Sequence, residues 1–184
     1  VVLARDFVDG RGTAEGHGTA VAGIIAARAG NGVGIAGVAP DARLLALRAC
    51  WQAGNGAQCS SFTLAKALQA AIDGRAQVLN LSLSGPDDRL LARLLDVALS
   101  RGTSVVGALD PRAAGGGFPA SHPGVLAVAG DRGASPVAAV WAPAVGIPAP
   151  RPDGGWTLVS GPSYTTAQVS GLVAAGTIAA ILMF

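Results

Sequence analysis

Gly16-His17-Gly18-Thr19-Ala20-Val21-Ala22-Gly23-Ile24-Ile25-Ala26-Ala27 reads as a helix that opens on a histidine and continues almost wholly in small or apolar residues. Small side chains let a helix pack close to its neighbours, so the imidazole at its mouth is carried on a rigid element. Much later, Gly161-Pro162-Ser163-Tyr164-Thr165-Thr166-Ala167-Gln168-Val169-Ser170-Gly171 opens a second glycine-punctuated helix on a serine. A serine hydroxyl is a weak nucleophile at neutral pH; it needs a base for its proton, and the base needs a partner to fix its tautomer. His17 is the candidate base and Ser163 the candidate nucleophile. At a helix N-terminus, the backbone N–H of Ser163 would also point toward a developing oxyanion.

The sequence around these two segments alternates between strands and helices. Leu44–Arg48 is predicted to be a strand, and so are Gln77–Leu83, Thr103–Leu109 and Val125–Ala129, with Val137–Trp141 a further candidate. Phe62–Asp73 is predicted to be a helix with Phe62, Ala65, Leu68, Ala71 and Ile72 on one stripe and Gly74 as its stop. Asp87–Ser100 is a second, opened by acidic residues and lined by Leu90, Leu91, Leu94, Leu95 and Ala98. Such alternation implies an α/β domain, a mostly parallel sheet with helices on both faces. Sites in such sheets form at the carboxyl ends of the strands, which brings Asn80–Gly85 and Ala108–Pro111 to one cleft. The apolar end, Gly171 to Phe184, is too short for a comfortable membrane span and is predicted to be a buried helix.

Bulk composition narrows the function classes. In 184 residues, 51% are hydrophobic and the mean hydropathy is +0.48, which provides for a large core and excludes general disorder. The net charge is only +2 and the arginines are scattered, so no nucleic-acid partner is expected. Cys50 and Cys59 flank the loop Trp51 to Gln58; an even pair at short spacing predicts a disulfide and an oxidising compartment, secreted or periplasmic, with two free buried cysteines as the alternative. The only histidines are His17 and His122, and no ligand cluster accompanies them, so neither a metal nor another cofactor is expected. The chain starts at Val1 without a signal peptide, which suggests a processed, trimmed or partial sequence. Nothing in the sequence speaks to oligomeric state.

Taken together, His17-Gly18-Thr19-Ala20-Val21-Ala22-Gly23 and Gly161-Pro162-Ser163 with Val169-Ser170-Gly171 resemble the histidine and serine motifs of the subtilisin-like serine peptidases, the subtilases of peptidase family S8. Gly37-Val38-Ala39-Pro40, Val78-Leu79-Asn80-Leu81-Ser82-Leu83 and Pro119-Ala120-Ser121-His122-Pro123-Gly124-Val125 resemble further subtilase segments, in the family's order. The resemblance implies a three-layer subtilisin-like fold over residues 1–184 and a serine endopeptidase working through an acyl-enzyme, with His17 and Ser163 as its catalytic residues. It also implies that Ser82, Leu83 and Ser84 line the substrate cleft, where an extended polypeptide adds as an edge strand.

The chain departs from that pattern in four places. In the family the third triad member, an aspartate, ends the first strand; Val1–Val8 looks like the strand after it. The domain is therefore expected to be N-terminally incomplete, with Asp6 and Asp9 the candidates by residue type. Asp110 stands where the family has its oxyanion-hole asparagine. Losing an amide donor there costs about 2.7–4 kcal/mol, a figure measured in subtilisin itself, unless a protonated Asp110 donates in its place. Leu109 replaces a glycine and is expected to narrow the primary specificity pocket toward small P1 residues. Finally, Pro162 replaces a threonine, Tyr164 follows the serine, and Ala167-Gln168 replaces a Pro-His pair. These departures set against the endopeptidase reading an alternative: an impaired pseudopeptidase that binds extended peptides or a partner protein.

Overall fold

The computed structural model describes residues 1–10, 15–53, 56–130, 140–175 and 178–183. In chain order the elements are β1 (Leu3–Asp6), α1 (Gly16–Ala26), β2 (Arg43–Arg48), β3 (Cys50–Ala53), β4 (Gly56–Cys59), α2 (Ser61–Asp73), β5 (Val78–Leu81) and α3 (Arg89–Ser100). They continue with β6 (Ser104–Ala108), β7 (Leu126–Ala129), β8 (Val140–Trp141), β9 (Ile147–Pro150), β10 (Trp156–Val159), α4 (Pro162–Val173) and β11 (Ile178–Met183). Seven strands form one sheet in the order β1-β2-β11-β5-β6-β7-β8, every pairing parallel. β3 with β4, and β9 with β10, are separate antiparallel hairpins.

The strands are apolar on both faces because helices cover both. On β2, Leu45 and Leu47 pack with Leu68 of α2 and Leu95 of α3, while Leu44 turns to the opposite core with Ile24 of α1 and Val169 of α4. β5 and β6 alternate likewise: Leu79 and Val105 on the first side, Val78 and Val106 on the second. The result is the three-layer α/β architecture expected, with α1 and α4 together on one face. Small residues let both helices pack closely on the segments beside them. A Cβ added at Gly171 of α4 would lie 2.6 Å from Val38 Cβ, and one at Gly23 of α1 would lie 2.1 Å from Pro150 Cγ.

Three sequence expectations need correction. The apolar end is not one buried helix. α4 stops at Val173, and Ile178–Met183 forms β11, parallel to both β2 and β5 in the middle of the sheet. A short run such as Ile-Ala-Ala-Ile-Leu-Met cannot be assigned to helix or strand by periodicity alone; here tertiary pairing decides, since β2 and β5 would otherwise present bare edges to each other. Phe62 is not on the buried stripe of α2. It is 69% exposed with the Lys66 ammonium 4.6 Å above its ring, while Leu64, Ala67, Leu68 and Ala71 face the core. On α3, Leu90 points outward and Leu91, Leu95 and Ala98 are buried. Of the proposed strand Val137–Trp141, residues 137–139 lie outside the described residues and Val140–Trp141 is β8.

Candidate active site

Ser163 is the second residue of α4, behind Pro162 at the first helical position, which its fixed φ suits. The N-cap, Gly161, has φ +129°, a left-handed-side conformation that glycine adopts without strain. The Ser163 N–H is among those that a helix start leaves without an i−4 acceptor. Beneath it runs a buried polar ladder. Ser170 Oγ donates to Asn80 Oδ1 at 2.9 Å, Asn80 Nδ2 donates to Ser82 Oγ at 3.0 Å, and Ser82 Oγ donates to the Ser163 carbonyl at 2.8 Å. The Ser163 hydroxyl answers by donating to the Ser82 carbonyl at 3.0 Å. Asn80, Ser82 and Ser170 are all nearly inaccessible to solvent, so each bond replaces one that water would have made. The ladder ties the first turn of α4 to the carboxyl end of β5.

His17 is the second residue of α1, so its imidazole stands at the same edge of the sheet. Its ring lies against Tyr164, the residue after Ser163, with centroids 5.4 Å apart and planes tilted by 45°. Burial pushes its pKa down to about 4, because a desolvated imidazolium is disfavoured. The ring is therefore neutral at pH 7, with a nitrogen lone pair available to accept a proton.

Residues 109 and 110 continue β6. The Leu109 side chain is buried with Ala120, Ala127 and Ala129. With Pro111, Gly130, Ala144, Val145, Gly161 and Pro162 it lines an apolar cleft of about 320 Å³ beside Ser163. Asp110 turns to Arg112: Oδ1 accepts the Arg112 backbone N–H at 2.9 Å and its Nε at 3.1 Å. The side-chain bond from Arg112, then its backbone bond, hold the Asp110 carboxyl below the usual carboxylate range. Arg112 thus favours the ionised form of Asp110.

Asp6, one of the two acidic residues considered as third triad member, ends β1. Its Oδ2 accepts from Arg48 Nη1 at 3.0 Å and its Oδ1 from the Val8 N–H at 2.8 Å. Arg48 also bonds Asp9 Oδ1 at 2.9 Å and Glu15 Oε1, through Nη2, at 2.6 Å. This cluster neutralises an arginine only 9% exposed; a buried cation is tolerated only when it is paired. β11, which fills the centre of the sheet, contributes no carboxylate to this edge. Ser82–Ser84 leave β5 in no strand ladder, and Gly85 then bridges to Phe118. Cys50 and Cys59 are joined by a disulfide across the β3–β4 hairpin. Among the described residues, no three His, Cys, Asp or Glu side chains are gathered to hold a metal ion.

Sequence reasoning passed over Asn80, Ser170 and Arg48 as supporting groups. The signal was present for two of them, since Asn80 interrupts the apolar run Val78–Leu83 and Arg48 ends the apolar Leu44–Leu47. A polar residue inside a doubly covered strand must be bonded to something.

Residues 7–178 match the model of the subtilase family, Peptidase S8. The chain belongs to the subtilase family. It is 36% identical over 189 residues to a thermophilic serine proteinase of Bacillus sp. (strain AK1), the alignment covering 95% of this chain and 46% of that protein. It is 34% identical to thermitase of Thermoactinomyces vulgaris, over 93% of this chain and 62% of thermitase. Sphericase superimposes with a TM-score of 0.76 at 25% identity, covering 94% of this chain and 69% of sphericase. The chain thus spans roughly half to three-fifths of the length of such relatives.

Proposed function

We propose that this subtilase chain is a serine endopeptidase that hydrolyses extended polypeptides through an acyl-enzyme. The observation that carries the reading is the meeting of two helix starts: Ser163 opens α4 and a neutral His17 opens α1, with Tyr164 bridging the two turns. In the reaction the Ser163 hydroxyl gives up its bond to the Ser82 carbonyl and attacks the scissile carbonyl carbon while His17 takes its proton. The Ser163 N–H faces the developing oxyanion. His17 then passes the proton to the leaving amine, and water hydrolyses the ester by the same steps in reverse.

The substrate strand lies along Ser82, Leu83 and Ser84, which offer backbone outside any ladder, in the manner of strand addition. The apolar cleft walled by Leu109 receives the P1 side chain, and its lining supports a small or medium apolar residue there. Asp110 contributes no donor to the oxyanion site. The Cys50–Cys59 disulfide supports a secreted or periplasmic location, since such bonds persist in oxidising compartments. No described helix is long and apolar enough to cross a membrane.

The test is digestion of an unfolded polypeptide such as denatured casein, with new termini identified by mass spectrometry and Ser163→Ala as control. Cleavage after small or medium apolar residues, lost in Ser163→Ala, is expected. Cleavage that persists in Ser163→Ala, or none by the wild type, would overturn the reading.

A further inference from the structure

We infer that Tyr164 is a positioning residue of the base: its ring packs against the His17 imidazole, holds its orientation and shields it from solvent. The inference deepens the endopeptidase reading and rests on it for its catalytic meaning. The geometry supports it in three ways.

First, the two rings lie 5.4 Å apart at 45°, inside the range of a genuine aromatic pair. Second, the two residues stand in the first turns of α1 and α4, which share one face of the sheet and pack on one core. Tyr164 also follows Ser163 directly. The contact that orients the base is thus covalently continuous with the nucleophile, and the ladder through Ser82 and Asn80 anchors both. Third, the lowered basicity of His17 comes from burial, and Tyr164, half-buried at the same place, supplies apolar ring surface to that burial.

On the surrounding elements, Arg5 of β1 and Arg43 of β2 are exposed. Asp6 and Asp9 on and after β1, Glu15 before α1 and Arg48 on β2 are bonded together, and Asp110 after β6 is bonded to Arg112. The described part of α4 carries no charged side chain, and β11 carries none.

The experiment is an NMR titration of the imidazole signals, simplified because His17 and His122 are the only histidines. Tyr164→Ala is expected to raise the His17 pKa by at least about one unit toward the solvated value, and Tyr164→Phe to leave it near the wild-type value. His122, placed against Phe118 and Asp96, should not move and reports that the fold is intact. Should Tyr164→Ala fail to fold, Tyr164→Leu keeps bulk without the ring. Displaced His17 signals with unmoved His122 would then support the contact, and unmoved His17 signals would refute it. A His17 titration identical in wild type and Tyr164→Ala overturns the inference. Fluorophosphonate labelling of the same samples separates the two readings: an unlabelled wild type whose His17 still responds to Tyr164→Ala defeats the endopeptidase reading while the ring contact stands.

Discussion

At the residue scale, two charges decide how well the site can work. By the resemblance, Asp110 stands where subtilases place an amide donor, and Arg112 favours its ionised form. A negative group near a developing oxyanion opposes it. Asp110→Asn replaces that group with a donor and is expected to raise the rate of Ser163 acylation by about 10- to 100-fold, somewhat less than a well-aimed oxyanion donor contributes. Stopped-flow acylation with an activated ester checks this, and an unchanged or lower rate contradicts it. The second is the charge that His17 gains only in acid. Its pKa is about 4 in the folded chain against roughly 6.5 when unfolded. Between those values the unfolded chain binds the extra proton, so acid favours unfolding. Stability should be fully present above about pH 6.5 and fall by on the order of 2–3 kcal/mol as pH drops toward 4. Urea unfolding at several pH values should show this loss in wild type and much less of it in His17→Gln.

At the scale of elements, the glycine stops of α2 and α3 and the acidic start of α3 were the most readable features. Ser60 caps α2 by accepting the Thr63 N–H while Thr63 Oγ1 accepts the Ser60 N–H, and Asp88 caps α3 through the Leu90 and Leu91 N–H groups. Both helices end where Gly74 and Gly102 follow. Stripe assignments were less secure. Phe62 and Leu90 lie in the first turns of their helices and stay largely exposed despite their apolar spacing. The β3–β4 and β9–β10 hairpins left only weak marks, because each strand has only four residues and Gly56–Cys59 and Ile147–Pro150 carry the glycine, alanine and proline that strands disfavour. The Cys50–Cys59 bond closes one of these hairpins, with a sequence separation of 9. Reducing it should lower stability by about 2–3 kcal/mol on loop-closure grounds. Denaturant unfolding with and without reductant tests that figure, and coincident curves would show that the hairpin ordering does not depend on it.

For the whole molecule, the sheet was legible as a class but not in its strand order. The apolar run Leu44–Leu47, and the run Val78–Leu81 broken only by Asn80, announced strands covered on both faces, and the helices between them implied parallel pairing. The sequence could not show that Ile178–Met183 fills the central slot, since a central position is a property of β2 and β5 as much as of the segment itself. Ile181 is wholly buried, in register with Ala46 on one side and Asn80 on the other. Ile181→Ala should therefore cost about 2–5 kcal/mol, the range for truncating a core aliphatic. A loss near zero, measured by chemical denaturation, would mean that this segment does not occupy the middle of the sheet. The candidate site was legible in its two chemical residues because each sits in a motif with several fixed glycines. Its supports were not, because Tyr164, Asn80 and Ser170 acquire their roles only when α1, α4 and β5 converge on one edge.

The central claim is that His17 activates Ser163. The most direct measurement is labelling of the folded chain by a fluorophosphonate probe, with the modified peptide located by mass spectrometry and His17→Ala in parallel. Label on Ser163 in the wild type, lost or greatly slowed in His17→Ala, is the predicted result. A folded wild type that takes no label, or a label on Ser163 indifferent to His17→Ala, would contradict it.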